Sequence, residues 1–252
     1  MKSNFVKKSA ITLLIALFWI GAWYIAALLV DSVLLLPTPH ETLLALVELL
    51  GKPEFYKAVL FTFVRVAIGL LLGISAGIIL AVLSHKFELL RRILSPAISI
   101  IRATPVASFI VLLWVLVRGN ILTVLVAFLM VMPIVWQNTL DGFSSIPKEL
   151  IEVAELYELS FKRKFNILIL PVLSSYIFPA VITSVGLAWK SEIAAEIIAY
   201  TKNSIGMYIN DAKTFMLTPA VFAWTAVIVL MSIALELLTR RLLRRFKNEP
   251  KH

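Results

Sequence analysis

The sequence predicts an all-α, polytopic membrane protein with six transmembrane helices. Three observations carry that prediction. The 252 residues are 60% hydrophobic and only 15% charged, whereas a soluble domain is about 45–50% apolar and about 25% charged. Uncharged runs recur along the chain, each near the roughly 20 residues needed to cross hydrocarbon. Lys and Arg concentrate in alternate connecting segments, as membrane topology requires. A soluble globular enzyme, a disordered chain and a fibrous protein are excluded on these grounds. The net charge of +9 fits cationic loops held on one side of a membrane better than nucleic-acid binding. With no Cys, disulfides and thiolate chemistry are impossible. His40, His85 and His252 lack the spacing of a metal site, so none is expected.

The first uncharged run, Ala10–Val30, is longer than a secretory h-region and continues into Leu34-Leu35-Leu36, so it reads as a retained helix. The breaker cluster Leu36-Pro37-Thr38-Pro39-His40 then precedes an apolar stretch, Glu41–Leu50, expected to lie at the outer interface. Val66–Ser84 is the second span. Its residues Arg65, Gly69, Gly73, Gly77 and Ala81 share one helix face, which allows close approach of another helix. Ile93–Ile101 and Ala103–Val117, interrupted by Arg102, form the third span, and Gly119–Leu140 the fourth. Phe165–Trp189 is the fifth, followed by a mixed outer segment, Lys190–Thr218, and Thr214–Leu235 is the sixth. Pro96, Pro105, Pro133, Pro171, Pro179 and Pro219 fall in or at the ends of these runs, where each can kink a helix.

With the N-terminus inside, 16 Lys and Arg fall in inner segments and six in outer ones, so both termini are expected in the cytoplasm. Residues 1–252 then form a single transmembrane domain. Arg65 and Arg102 are pathway candidates: Arg65 is expected either to reach the outer headgroups or to form the polar end of a packing face beside the conduction path, and Arg102 to snorkel to the inner interface or to face a cavity. Trp189, Lys190, Glu192 and Glu196 follow the fifth span; they are either an interface belt or the polar outer mouth of a pathway, with Glu192 balancing Lys190.

The longest inner loop, residues 141–164, decides the class. Glu149–Tyr157 reads as a short amphipathic helix with Leu150, Ala154 and Tyr157 on one face, followed by a basic stretch, Phe161–Lys164. Glu152-Val153-Ala154, then Ser160, Phe165 and Ile169-Leu170-Pro171, resembles the "EAA" loop of permease subunits in binding-protein-dependent ABC importers. Glu158 stands where that loop usually has Gly; a left-handed residue there would cost a non-glycine about 1–2 kcal/mol. Leu36-Pro37-Thr38-Pro39, Arg65 with its glycine stripe, Leu94-Ser95-Pro96 leading to Arg102-Ala103-Thr104-Pro105, and Gly186-Leu187-Ala188-Trp189 with Glu192 and Glu196 are similar to the nitrate/sulfonate/taurine branch. Trp114-Val115-Leu116-Val117-Arg118-Gly119 departs from its Trp-Phe-Gly-like segment.

The resemblance implies a type I ABC-importer permease fold in a bacterial inner membrane. It assigns the coupling loop to residues 141–171, with Glu149, Glu152, Ala154, Glu155, Glu158, Ser160 and Pro171 engaging the ATPase. It implies a second copy of the chain, two ATPase subunits that hold ATP and Mg, and an extracytoplasmic solute-binding protein. The chain itself has no GxxxxGK[ST] loop, so no cofactor and no ATPase activity are expected of it. An ATP-independent secondary transporter or channel would need coupling carboxylates within the spans, or a repeat. A membrane-embedded enzyme would need a catalytic constellation. The resemblance favours small anions such as sulfonates or nitrate as substrate, with thiamine-precursor-like molecules as the alternative.

Overall fold

Every regular element among the described residues, 2–248, of the computed structural model is helical. Met1 and residues 249–252, which include Lys251 and His252 of the basic tail, lie outside them. The first helix, α1 (Lys2–Val30), leads into α2 (Pro39–Leu50). A capping box starts α2: the Glu41 carboxylate accepts from the Thr38 backbone N–H at 2.8 Å and from its hydroxyl at 2.9 Å. These bonds hold the Glu41 carboxyl below the usual range. The Trp23 indole donates to the Pro37 carbonyl at 3.0 Å and fixes the turn between the two helices.

The centre of the bundle is α3 (Pro53–Lys86) against α6 (Asn120–Ser144). The glycine stripe makes this contact. A methyl on Gly73 would lie 2.7 Å from Val131 Cβ, and one on Gly77 would lie 2.8 Å from Val135 Cβ and 2.9 Å from the Met132 carbonyl. Only glycine allows backbones this close. Gly69 meets Ala127, Gly73 meets Val131 and Gly77 meets Val135, so both helices ascend in the same direction.

The third expected span is not one helix. α4 (Glu88–Ala103) and α5 (Val106–Leu116) meet at a bend of 111°. Thr104 is extended because it precedes Pro105, which removes a donor and clashes with a continuing helix. The break falls at Thr104–Pro105, two residues beyond the Arg102 interruption. At 11 residues, α5 rises only about 16 Å and cannot cross hydrocarbon alone. Because α3 and α6 are parallel, however, the bent pair carries the chain from the C-terminal end of α3 back toward its N-terminal side. Among the described residues, five helices are long and apolar enough to cross a membrane, and a sixth crossing requires the bent pair to count as one.

After α6 come α7 (Lys148–Leu156), α8 (Phe161–Lys164) and a π-helical segment, Phe165–Ile169, before α9 (Leu170–Ala199). Pro171 cannot donate to the preceding turn, and the wider π turn takes up that defect: the Leu170 N–H reaches back to the Phe165 carbonyl. α9 does not end at Trp189. It runs ten residues further, so Lys190–Ala199 are helical and the outer connection shrinks to a short turn before α10 (Ile205–Thr214) and α11 (Thr218–Asn248). The left-handed Tyr200 closes α9, where its N–H bonds the Glu196 carbonyl.

Candidate functional site

Two places concentrate polar chemistry, at opposite ends of the bundle. The first is the α7–α8 loop. Pro147 precedes α7, and Glu158 adopts φ +50°, the left-handed residue that the usual glycine provides. The Leu159 N–H bonds the Ala154 carbonyl at 3.0 Å and the Glu158 N–H bonds the Glu155 carbonyl at 2.9 Å, closing a Schellman-type turn. The strain accepted at Glu158 therefore keeps the loop's turn without glycine. Ala154 is buried and sets the inner face of α7. Leu150 and Tyr157, expected on that face, are instead exposed. Lys164 ties α8 to α7 through Glu155 at 3.0 Å. Glu149, Glu152, Glu155, Glu158, Ser160 and Pro171 are exposed, and Ser160 takes the N-cap position of α8 without a side-chain capping bond. The tip presents Leu156, Tyr157 and Phe161 at 82%, 73% and 78% exposure beside this charge.

The second place joins α3, α6, α9 and the turn before α10. The Arg65 guanidinium is buried, not extended toward headgroups. Its Nη2 donates to Glu196 Oε1 at 2.9 Å and to the Asn203 carbonyl at 3.2 Å, and Nη1 donates to Asn120 Oδ1 at 3.1 Å. The Thr62 hydroxyl donates to the same Glu196 oxygen at 2.8 Å, while the Gly206 N–H donates to Glu196 Oε2 at 3.1 Å. Gly206 is required here: a methyl would collide with Glu196 Cβ and lie 2.6 Å from the Ile197 nitrogen. Glu192, one turn before Glu196, is fully buried, with Oε1 3.6 Å from Arg65 Nε and no hydrogen bond to either carboxylate oxygen.

These distances correct the expected roles. Glu192 faces Arg65 inside the bundle and is not partnered by Lys190, which lies exposed on another side of α9. Trp189 is not an interface anchor; it is fully buried and its indole donates to the Ile228 carbonyl of α11 at 3.1 Å. Glu192 and Glu196 do not line an open mouth. Asn120, Thr62, Asn203 and Gly206 complete the cluster and carry no sequence signal, because a turn and two remote helices bring them together. Among the sequence-derived pathway candidates, Arg102 and Lys190 remain exposed.

The family described as binding-protein-dependent transport system inner membrane component matches residues 69–248. The taurine transport system permease of Escherichia coli (strain K12) is 28% identical over 230 residues, covering 88% of this chain and 83% of that one. The nitrate import permease of Synechococcus elongatus is 32% identical over 155 residues, covering 61% of this chain and 55% of its own. The crystal structure of an amino acid ABC transporter with histidines shares the fold at a TM-score of 0.62 and 16% identity, covering 79% of this chain and 94% of that one. The matched region takes in the paired glycine-stripe helices, the left-handed turn after α7 and the buried carboxylates of α9. By that match this chain belongs to the family of binding-protein-dependent transport system inner membrane components, the permease subunits of ABC importers.

Proposed function

We propose that the chain forms half of the membrane path of an importer for a small anion, driven by a separate ATP-binding cassette ATPase docked on the α7–α8 loop. A second copy completes the path, two ATPase subunits supply ATP and Mg, and a solute-binding protein outside delivers the substrate. One observation carries this reading: the loop tip. Leu156, Tyr157 and Phe161 are too exposed and apolar to face water unpartnered, while Glu149, Glu152 and Glu158 are too charged to enter hydrocarbon. A soluble partner with an apolar cleft satisfies both groups.

The basic inner segments support N-in and C-in topology with six crossings, and the parallel register of α3 and α6 supports counting the bent α4–α5 pair as one of them. The names of the taurine and nitrate relatives support a small anion. Coupling is tested at the tip. Leu156→Asp and Tyr157→Asp place a charge where the ATPase docks but disturb no buried contact. Each should abolish ATPase co-purification and transport at normal membrane abundance. Ala154→Arg, which forces a charge into the buried side of α7, reads loop packing instead. If both Asp variants retain the ATPase and transport, the tip is only a surface helix end.

A further inference from the structure

Besides the buried cluster, a second arginine, exposed on the side of the bundle, lies level with the middle of its helices. A cavity of about 330 Å³ opens at the break between α4 and α5. Arg102 is the one charged residue that lines it; Thr104 also lines it, its hydroxyl donating to the Ile100 carbonyl at 2.8 Å, and the walls are otherwise apolar and include Pro133, Ile134 and Leu187. Pro133 lies near the midpoint of the 25-residue α6. The guanidinium is therefore placed far from both ends of the bundle, where an unpaired charge is expensive unless it faces water or a ligand. Arg65, by contrast, is consumed by Glu192 and Glu196. Among the described residues, no carboxylate or side-chain acceptor meets Arg102. The uncapped start of α5 faces the same break and adds positive potential.

We infer that the Arg102–Thr104 cavity is a midway binding site for a small oxyanion of the sulfonate or nitrate class. The inference rests on the importer reading above and names where its substrate pauses. A guanidinium presents paired donors that match two oxygens of such an ion. The apolar walls beside the exposed guanidinium lower the local dielectric and strengthen that contact. The break at Thr104–Pro105 is then what places the arginine in the path: a continuous span would leave no cavity.

The native chain has no Cys, so single cysteines can report the site in vesicles that hold the assembled importer. Thr104→Cys and Leu187→Cys each line the cavity, and Lys202→Cys serves as an exposed control. Sulfonatoethyl methanethiosulfonate should react faster than its trimethylammonium analogue at both cavity positions. A unit charge within about 7 Å in a partly desolvated site biases ions of opposite sign by at least roughly tenfold. Adding Arg102→Gln should remove that bias, and Arg102→Lys should restore most of it. Nitrate or taurine should slow labelling in the cavity but not at Lys202→Cys. Failure of both reagents to react at both cavity positions places the arginine in lipid and overturns the site. So does a charge bias that survives Arg102→Gln. Labelling that ignores nitrate and taurine assigns the arginine to a lipid phosphate and also overturns it. Uptake by the unmodified importer in the same vesicles tests the transport reading separately.

Discussion

At the scale of single residues, the buried cluster decides how this bundle is held. One guanidinium faces two carboxylates, but the two are not equivalent. Glu196 accepts from Arg65, Thr62 and the Gly206 N–H. Glu192 has only a long contact and no hydrogen bond. Removing one partner of a satisfied buried ion pair costs about 3–5 kcal/mol, while removing an unsatisfied buried carboxylate relieves a penalty. Arg65→Gln should therefore lower thermal stability in detergent sharply. Glu192→Gln should be neutral or stabilising, and equal losses in the two variants would contradict the assignment. The sequence singles out Arg65, Glu192 and Glu196 as polar residues beside apolar runs. It places them at an aqueous mouth because linear spacing shows neither that α9 continues past Trp189 nor that Arg65 points inward. Lys190 and Glu192 are two positions apart and diverge on a helix, which excludes the pairing that sequence proximity suggests.

At the scale of elements, local chemistry explains each departure from a straight span. Pro105 breaks α4 from α5, and the π turn before Pro171 absorbs the missing donor. The glycine stripe acts as a zipper between α3 and α6. Gly73→Ala should destabilise by about 1–3 kcal/mol, since Val131 and the Phe128 carbonyl cannot both retreat. Gly186→Ala, with nothing within 4 Å of the added methyl, should be neutral or gain from helix propensity. Comparable melting shifts for the two would show that the stripe is not the packing face. The stripe was readable in advance because its period of four is visible in the chain. Its partner, the Ala127–Val131–Val135 face of α6, was not, since small and branched apolar residues mark no particular neighbour.

At the scale of the whole molecule, the α7–α8 loop stands at one end of the bundle and the charge-locked cluster toward the other, connected by helices whose direction the glycine register establishes. Cysteines at Ser3, Ser145 and Asn248 should react only with permeant thiol reagents in intact cells, and Lys202→Cys with impermeant ones too. Impermeant labelling at any of the first three would reverse the topology. The helical class and the loop were legible because hydropathy and residue order survive in one dimension. The bend and the interior cluster were not, because they depend on contacts between segments far apart. Uptake of labelled taurine and nitrate into proteoliposomes holding the chain with an ATP-binding cassette ATPase and a solute-binding protein separates an importer permease from an ion-coupled carrier. At least one of them should accumulate, and only when ATP, the ATPase and the binding protein are present together. Accumulation driven by an ion gradient, with the ATPase and binding protein both left out, would contradict the importer reading.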